Sequence, residues 1–399
     1  MQRRAWLAFC VLCLGLPHPA GAQTDQQFRQ CNSADPALAI IGCTAIIESR
    51  DTSPPARSRA LANRAIAYLN RGQADRALPD FDRAIMIDGK NSVALIGRGN
   101  YFQTQGNTER ALADYNQAIS VNPKDASAFG QRGNLYLLQG EPERAISDYD
   151  QSIALDPKLA PTFANRGEAY RVQGDDDRAV QNFDAAIKLD PKFANAYDDR
   201  GLALTDKGDF DRAIGDFDQA LKLNPKLNPV YSHRAIAYEG KGAHDKALAD
   251  LAEAIRLEPN NANSYVSRGN IYQDQNNLDR AIEDYSQAIR VDAKIPDAFN
   301  NRGTAYAKKG DLDRAIADYD AALRIDPKLA NAYGNRGLAL VKTGQFARAV
   351  ADFDQALAAN PKDALSLYNR GVAKQKMGNN VGGDIDVINA RGIDPNVGR

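Results

Sequence analysis

The chain has 399 residues, with 50 Lys and Arg against 51 Asp and Glu, a net charge of −1 and a mean hydropathy of −0.50. The charge balance excludes a dedicated nucleic-acid binder, which carries a basic excess, and the hydropathy excludes a polytopic membrane protein. Three histidines and four cysteines leave little material for a metal centre or histidine-based catalysis, and at roughly 150 residues per domain the length suggests two or three domains.

Residues 1–22 read as a signal peptide. Arg3 and Arg4 form a short positive start, and residues 5–16 (AWLAFCVLCLGL) an apolar run too short to span a bilayer comfortably. Ala20-Gly21-Ala22 then offers a small-residue cleavage site before Gln23. The Arg3-Arg4 pair is only faintly like a twin-arginine signal, and no small residue precedes Cys10 or Cys13 as a lipoprotein cysteine requires. A periplasmic or secreted chain is expected, with no membrane span after cleavage.

Residues 23–57 form a leader. Cleavage leaves only Cys31 and Cys43, which in an oxidising compartment are expected to form a disulfide. Asp35-Pro36 reads as a helix cap followed by proline at the first helical position. Cys43 then falls two turns into that helix, and Cys31 in the stretch of chain leading to it. Residues 35–50 look like a lone second helix of the repeat that follows, set there to screen its open end.

From Ser58 the chain repeats every 34 residues. Ten units run without insertion over 58–91, 92–125, 126–159, 160–193, 194–227, 228–261, 262–295, 296–329, 330–363 and 364–397. In the unit 330–363, Tyr333, Gly337 and Leu340 recur at helical spacing, and Gly344 ends that first helix. A second helix carries Ala349, Phe353, Ala356 and Leu357 on one face and stops at Pro361. Small residues at positions 8 and 20 let the helices approach, while aromatics at positions 11 and 24 fill the gap. Such a pair cannot bury its apolar face alone and must stack on its neighbours. In the last unit Gly382-Gly383 is expected to break the start of the second helix, making 364–397 a degenerate cap.

These residues resemble the tetratricopeptide repeat, a 34-residue helix-turn-helix. The resemblance covers 58–397 and implies an all-α fold, a right-handed superhelical α-solenoid of about ten repeats. One departure stands out. Position 7, where the family usually has Leu, is Arg in every unit, including Arg302, Arg336 and Arg370. An arginine on a half-buried face needs a partner. Position 23 supplies Asp in nine units, among them Asp318 and Asp352. A ladder of Arg–Asp pairs is expected, between the two helices or across adjacent units. The alternative pairs each Asp with the Arg four residues earlier, as Asp318 with Arg314.

No catalytic constellation, phosphate loop or zinc spacing is present, so an enzyme is not expected and neither a cofactor nor a metal is implied. The run Asp175-Asp176-Asp177 falls in an inter-helix turn, where capping the next helix is a better account than a calcium site. By resemblance, function lies on the concave face lined by the first helices, whose positions 2, 5, 6, 9, 12 and 13 face the groove. Position 6 is Asn63, Asn165, Asn301, Asn335 and Asn369, with Gly97 and assorted polar residues elsewhere, so its last three are all asparagine; position 13 ends in Lys308, Lys342 and Lys376. Seven residues are two helical turns, so each Asn and Lys share a face. The asparagine row resembles the one with which O-linked N-acetylglucosamine transferases hold a peptide backbone, although their catalytic domain has no counterpart in this sequence. The expected partner is a protein or an extended peptide, with an acidic segment or terminal carboxylate on the lysines and no nucleic acid. A non-enzymatic scaffold is the leading reading. The alternatives are an assembly factor for an envelope polysaccharide or secretion machine, and a regulatory subunit of a separately encoded enzyme.

Overall fold

The computed structural model describes residues 22–398. The expected signal peptide, all but Ala22, lies outside the described residues. Twenty-two α-helices and no strand occur among the described residues, an all-α helical-repeat solenoid. None of these helices is long and apolar enough to cross a membrane.

The chain divides into two compact units, one reaching Leu223 and one starting at Asn224. The first holds α1 (Ala22–Cys31), α2 (Pro36–Glu48) and the pairs α3 (Pro54–Asn70) with α4 (Ala74–Ile87), α5 (Ser92–Thr104) with α6 (Thr108–Val121), α7 (Ala126–Leu138) with α8 (Pro142–Leu155), α9 (Ala160–Val172) with α10 (Asp176–Leu189), and α11 (Ala194–Asp206) with α12 (Phe210–Leu223). The second holds α13 (Asn228–Gly240) with α14 (His244–Leu257), α15 (Ala262–Asp274) with α16 (Leu278–Val291), α17 (Pro296–Lys308) with α18 (Leu312–Ile325), α19 (Ala330–Lys342) with α20 (Phe346–Ala359), and α21 (Ala364–Lys376) with α22 (Asn380–Ile393).

The turn within each pair is a left-handed residue. Nine glycines from Gly72 to Gly378 sit at φ between 70° and 86°, and Asn276 takes the same place at φ 58°. Asparagine tolerates that region better than any other residue with a side chain.

Packing between paired helices rests on the small positions. The alanines at position 20, from Ala77 to Ala349, are fully buried. A Cβ added at Gly99 would lie 2.5 Å from Tyr115 Cε1, and one at Gly337 would lie 2.8 Å from Phe353 Cε1. Glycine at position 8 is therefore the space that the position-24 ring occupies. The two units with alanine there solve the problem differently. Ala235 packs in one cluster with Leu251, a smaller side chain than the usual ring. Beside Ala65, the Phe81 ring turns instead toward Gly97, where a Cβ would lie 2.4 Å from Phe81 Cε1. Gly97 is thus a buried packing residue and not part of a polar groove.

The structure adds one helix to the leader and corrects one expectation, the break at Gly382-Gly383. The leader is helical up to Cys31: α1 packs on α2 at Gly42, where a Cβ would meet the Cys31 backbone nitrogen at 2.5 Å. Phe28 and the bonded pair Cys31–Cys43 anchor it, whereas residues 23–30 are otherwise polar and gave no apolar period. Helix α22 runs unbroken through Gly382-Gly383. Asn379 caps it by accepting from the Gly382 N–H at 3.0 Å, and Gly383 is needed because a Cβ would meet the Gly371 carbonyl oxygen at 2.6 Å. Close approach, and not chain breaking, accounts for that glycine.

Candidate functional site

The position-7 arginines form the most regular polar feature. Each reaches position 23 of its own pair across the two helices, at 2.6–2.9 Å. Most of these contacts are two-pronged: Arg302 Nε and Nη2 donate to the two oxygens of Asp318, Arg336 to Asp352 and Arg370 to Asp386. Arg166 meets Asn182 with one bond. The remaining prong often reaches back to position 25 of the preceding pair, as Arg98 to Asp82 (2.8 Å), Arg336 to Asp320 (2.6 Å) and Arg370 to Asp354 (2.7 Å). Arg314 pairs with Asp311 rather than Asp318, because Asp318 is turned inward. The Asp352 side chain is 8% exposed and that of Arg336 18%. The hydrogen bond to Asp352 raises the Arg336 pKa despite partial burial. A fork geometry of this kind suits arginine and not lysine. The feature is structural: it ties helix to helix and pair to pair.

Four asparagines of the second unit, Asn335, Asn300, Asn301 and Asn270, are linked in a chain. Asn335 Nδ2 donates to Asn300 Oδ1 at 3.0 Å, Asn300 Nδ2 to Asn301 Oδ1 at 3.0 Å, and Asn301 Nδ2 to Asn270 Oδ1 at 3.0 Å. The Tyr285 hydroxyl also donates to Asn270 Oδ1, at 2.8 Å. Asn369 donates to the Leu365 carbonyl at 3.0 Å. The first unit has a counterpart, in which Asn165 and the Tyr149 hydroxyl both donate to Asn134 Oδ1. Their amide nitrogens are therefore committed to the scaffold. The amide oxygens of Asn335 and Asn369 have no donor among the described residues.

Asn335 and Asn369 also line one cleft of about 350 Å³, formed by α19, α20 and α21. Its apolar lining includes Leu338, Phe353, Ala356 and Leu365, with Gly334 and Ser366 also on its wall. Asn301 is not part of this cleft. Leu338 stands at position 9, where Asn134 and Asn270 carry amides, and this switch is the sequence signal that reading position 6 alone missed. Lys308, Lys342 and Lys376 are the last residues of α17, α19 and α21, exposed and without a partner among the described residues. Their charge complements the helix C-termini. They lie two turns along their helices from the asparagines, outside the cleft.

The other polar clusters are local. Asp175 caps α10 by accepting from the Arg178 N–H at 3.0 Å, and its carboxylate pairs with the Arg178 guanidinium at 2.6 Å. Burial and the neighbouring Asp206 push the Asp176 carboxyl up, and Asp177 pairs with Lys207. No group of metal-ligating side chains occurs among the described residues. His244 Nδ1 lies 2.8 Å from Glu239 Oε1, and both residues are half-buried.

Tetratricopeptide repeat models match residues 96–160, 164–228, 199–262 and 266–330, and a second such model matches 303–370. Among solved structures, the chain is similar to the APC/C hetero-tetramer Cut9-Hcn1, with 16% identity and a TM-score of 0.50 over 94% of this chain and 83% of that one. A tetratricopeptide repeat protein from Parabacteroides merdae matches at 23% identity and a TM-score of 0.49, over 65% of this chain and 98% of that one. YrrB, described as a TPR protein with an unusual peptide-binding site, matches at 22% identity and a TM-score of 0.38, over 46% and 95% of the two chains. No curated protein gives a match. The repeat models span well over half of the sequence, and the first of these structures shares the fold along nearly all of it: the chain belongs to the tetratricopeptide repeat family.

Proposed function

We propose that the chain is a protein-interaction scaffold whose second unit holds an extended segment of a partner. The reading rests on one juxtaposition. Two asparagines with unengaged amide oxygens border a cleft with an apolar floor, and exposed lysines follow two turns along the same helices. A ligand backbone N–H would donate to Asn335 and Asn369, as an extended chain can at alternate residues. An apolar ligand side chain would lie on Leu338 and Leu365. Carboxylates, internal or terminal, would meet Lys308, Lys342 and Lys376, and Asn301 would steady this face through its bond to Asn270. The scaffold is read as exported to the periplasm or beyond, which the Cys31–Cys43 bond and the apolar leading segment support.

The test is titration calorimetry with a short peptide alternating leucine and glutamate. Asn369→Ala and the triple Lys308→Ala, Lys342→Ala, Lys376→Ala variant are each expected to weaken binding about tenfold. The triple variant is also expected to lose most of the salt dependence. Binding indifferent to both variants overturns the reading.

A further inference from the structure

The outer face of α22 differs from that of every other second helix. Position 18 is Asp or Glu in eight units, but Val381 in the last. Position 25 is Asp in six, where it accepts from an arginine as Asp354 does from Arg370, but Ile388 in the last. Position 22, elsewhere no more apolar than alanine or proline, is Ile385. Val381, Ile385 and Ile388 are 74%, 53% and 68% exposed. They recur at spacings of four and three, so they form one stripe along the helix. The stripe is an exposed apolar surface at positions that the other second helices fill with polar or small residues, and such a surface calls for a cover.

Two further features say what covers the stripe. The next position along it is Gly392, where a Cβ would meet nothing within 4 Å. The fold of the chain itself therefore does not need a glycine there, and glycine in a helix costs up to about 1 kcal/mol relative to alanine. On one flank stand Asp384 and Arg391, both exposed. Arg391 has no partner among the described residues, and Asp384 is bonded only to Gln375.

We infer that α22 pairs with α22 of a second copy, antiparallel, about a two-fold axis between Asp386 and Val387. In that register Ile385 meets the partner's Ile388, and Val381 drops into the gap left by the partner's Gly392. Asp384 lies beside the partner's Arg391, twice by symmetry. The stripe is thus complementary to itself in size and in charge, as an isologous interface must be. One helix pair of this length falls short of a standard interface, so the dimer is weak, with a dissociation constant on the order of 10–100 μM.

Sedimentation of the full mature chain up to about 500 μM tests this. The native chain is expected to dimerise, and Ile388→Asp to weaken the dimer by tenfold or more with unchanged circular dichroism. Asp384→Arg alone and Arg391→Asp alone are each expected to abolish it, because each sets like charges together. Mixing those two variants restores pairing as a heterodimer, and so does the double variant with itself. A native chain that stays monomeric overturns the inference. So does a dimer indifferent to the charge reversals, or an open-ended assembly, the result expected if the stripe met the exposed Leu38 and Ile41 of α2 in another copy.

Discussion

Two sets of polar residues run along this repeat, and they behave differently. The Arg–Asp forks recur in nearly every pair, while the lysine row occupies only α17, α19 and α21. In the first unit position 13 holds Asn70, Thr104, Leu138, Val172 and Asp206, with no common chemistry. What every copy keeps holds the helices together. What only some copies carry is free to meet something else. The asparagines cut across this division: each is bonded within the scaffold, as Asn165 is in the first unit, and yet Asn335 and Asn369 present an oxygen to a cleft.

The sharpest way to break the contrast is Asp352→Ala. It leaves Arg336 half-buried with only Asp320 as its acid. The expected loss is about 2–3 kcal/mol, less than for a fully buried pair because the guanidinium keeps an edge in solvent. Urea unfolding measures it, and an unchanged midpoint would remove the fork from the account of stability. Next comes Gly337→Ala, expected to cost about 1–2 kcal/mol as the new Cβ displaces the Phe353 ring. Adding Phe353→Leu copies Ala235 with Leu251 and should recover most of that loss; failure to do so would mean the glycine answers to something besides the ring.

A smaller effect concerns acid. Burial pushes the Asp386 carboxyl up, but hydrogen bonds from Arg370 and Lys374 outweigh it and hold the group below the usual carboxylate range. With the folded pKa below the unfolded one, the stabilisation is complete above about pH 5 and is lost as pH falls through the lowered value. Asp386→Asn should therefore flatten the fall in melting temperature between about pH 5 and pH 3, and an unaltered slope would contradict it. The smallest effect is expected from replacing Lys308, Lys342 and Lys376 together by alanine, within about 0.5 kcal/mol of the native stability. A large loss there would show that the row belongs to the scaffold after all.

The sequence determined a good deal alone, because a helix pair repeated at a fixed interval writes its boundaries many times over. Glycine at position 15, alanine at position 20 and the aromatic at position 24 each follow from local geometry, and the need of a half-buried arginine for an acid follows from solvation. Tertiary structure decided what depends on which atoms meet. For the position-23 acid it chose the arginine across the helix pair over the one four residues earlier, and it gave that arginine a further prong to the preceding pair. It turned Phe81 toward Gly97, kept α22 whole through Gly382-Gly383, and made a helix of a polar leader. It also tied Asn335, Asn300, Asn301 and Asn270 into one chain of amides and put a cleft beside Asn335 and Asn369. None of these could be read from residue type and period, since each depends on space or a bonding partner supplied by a distant part of the chain.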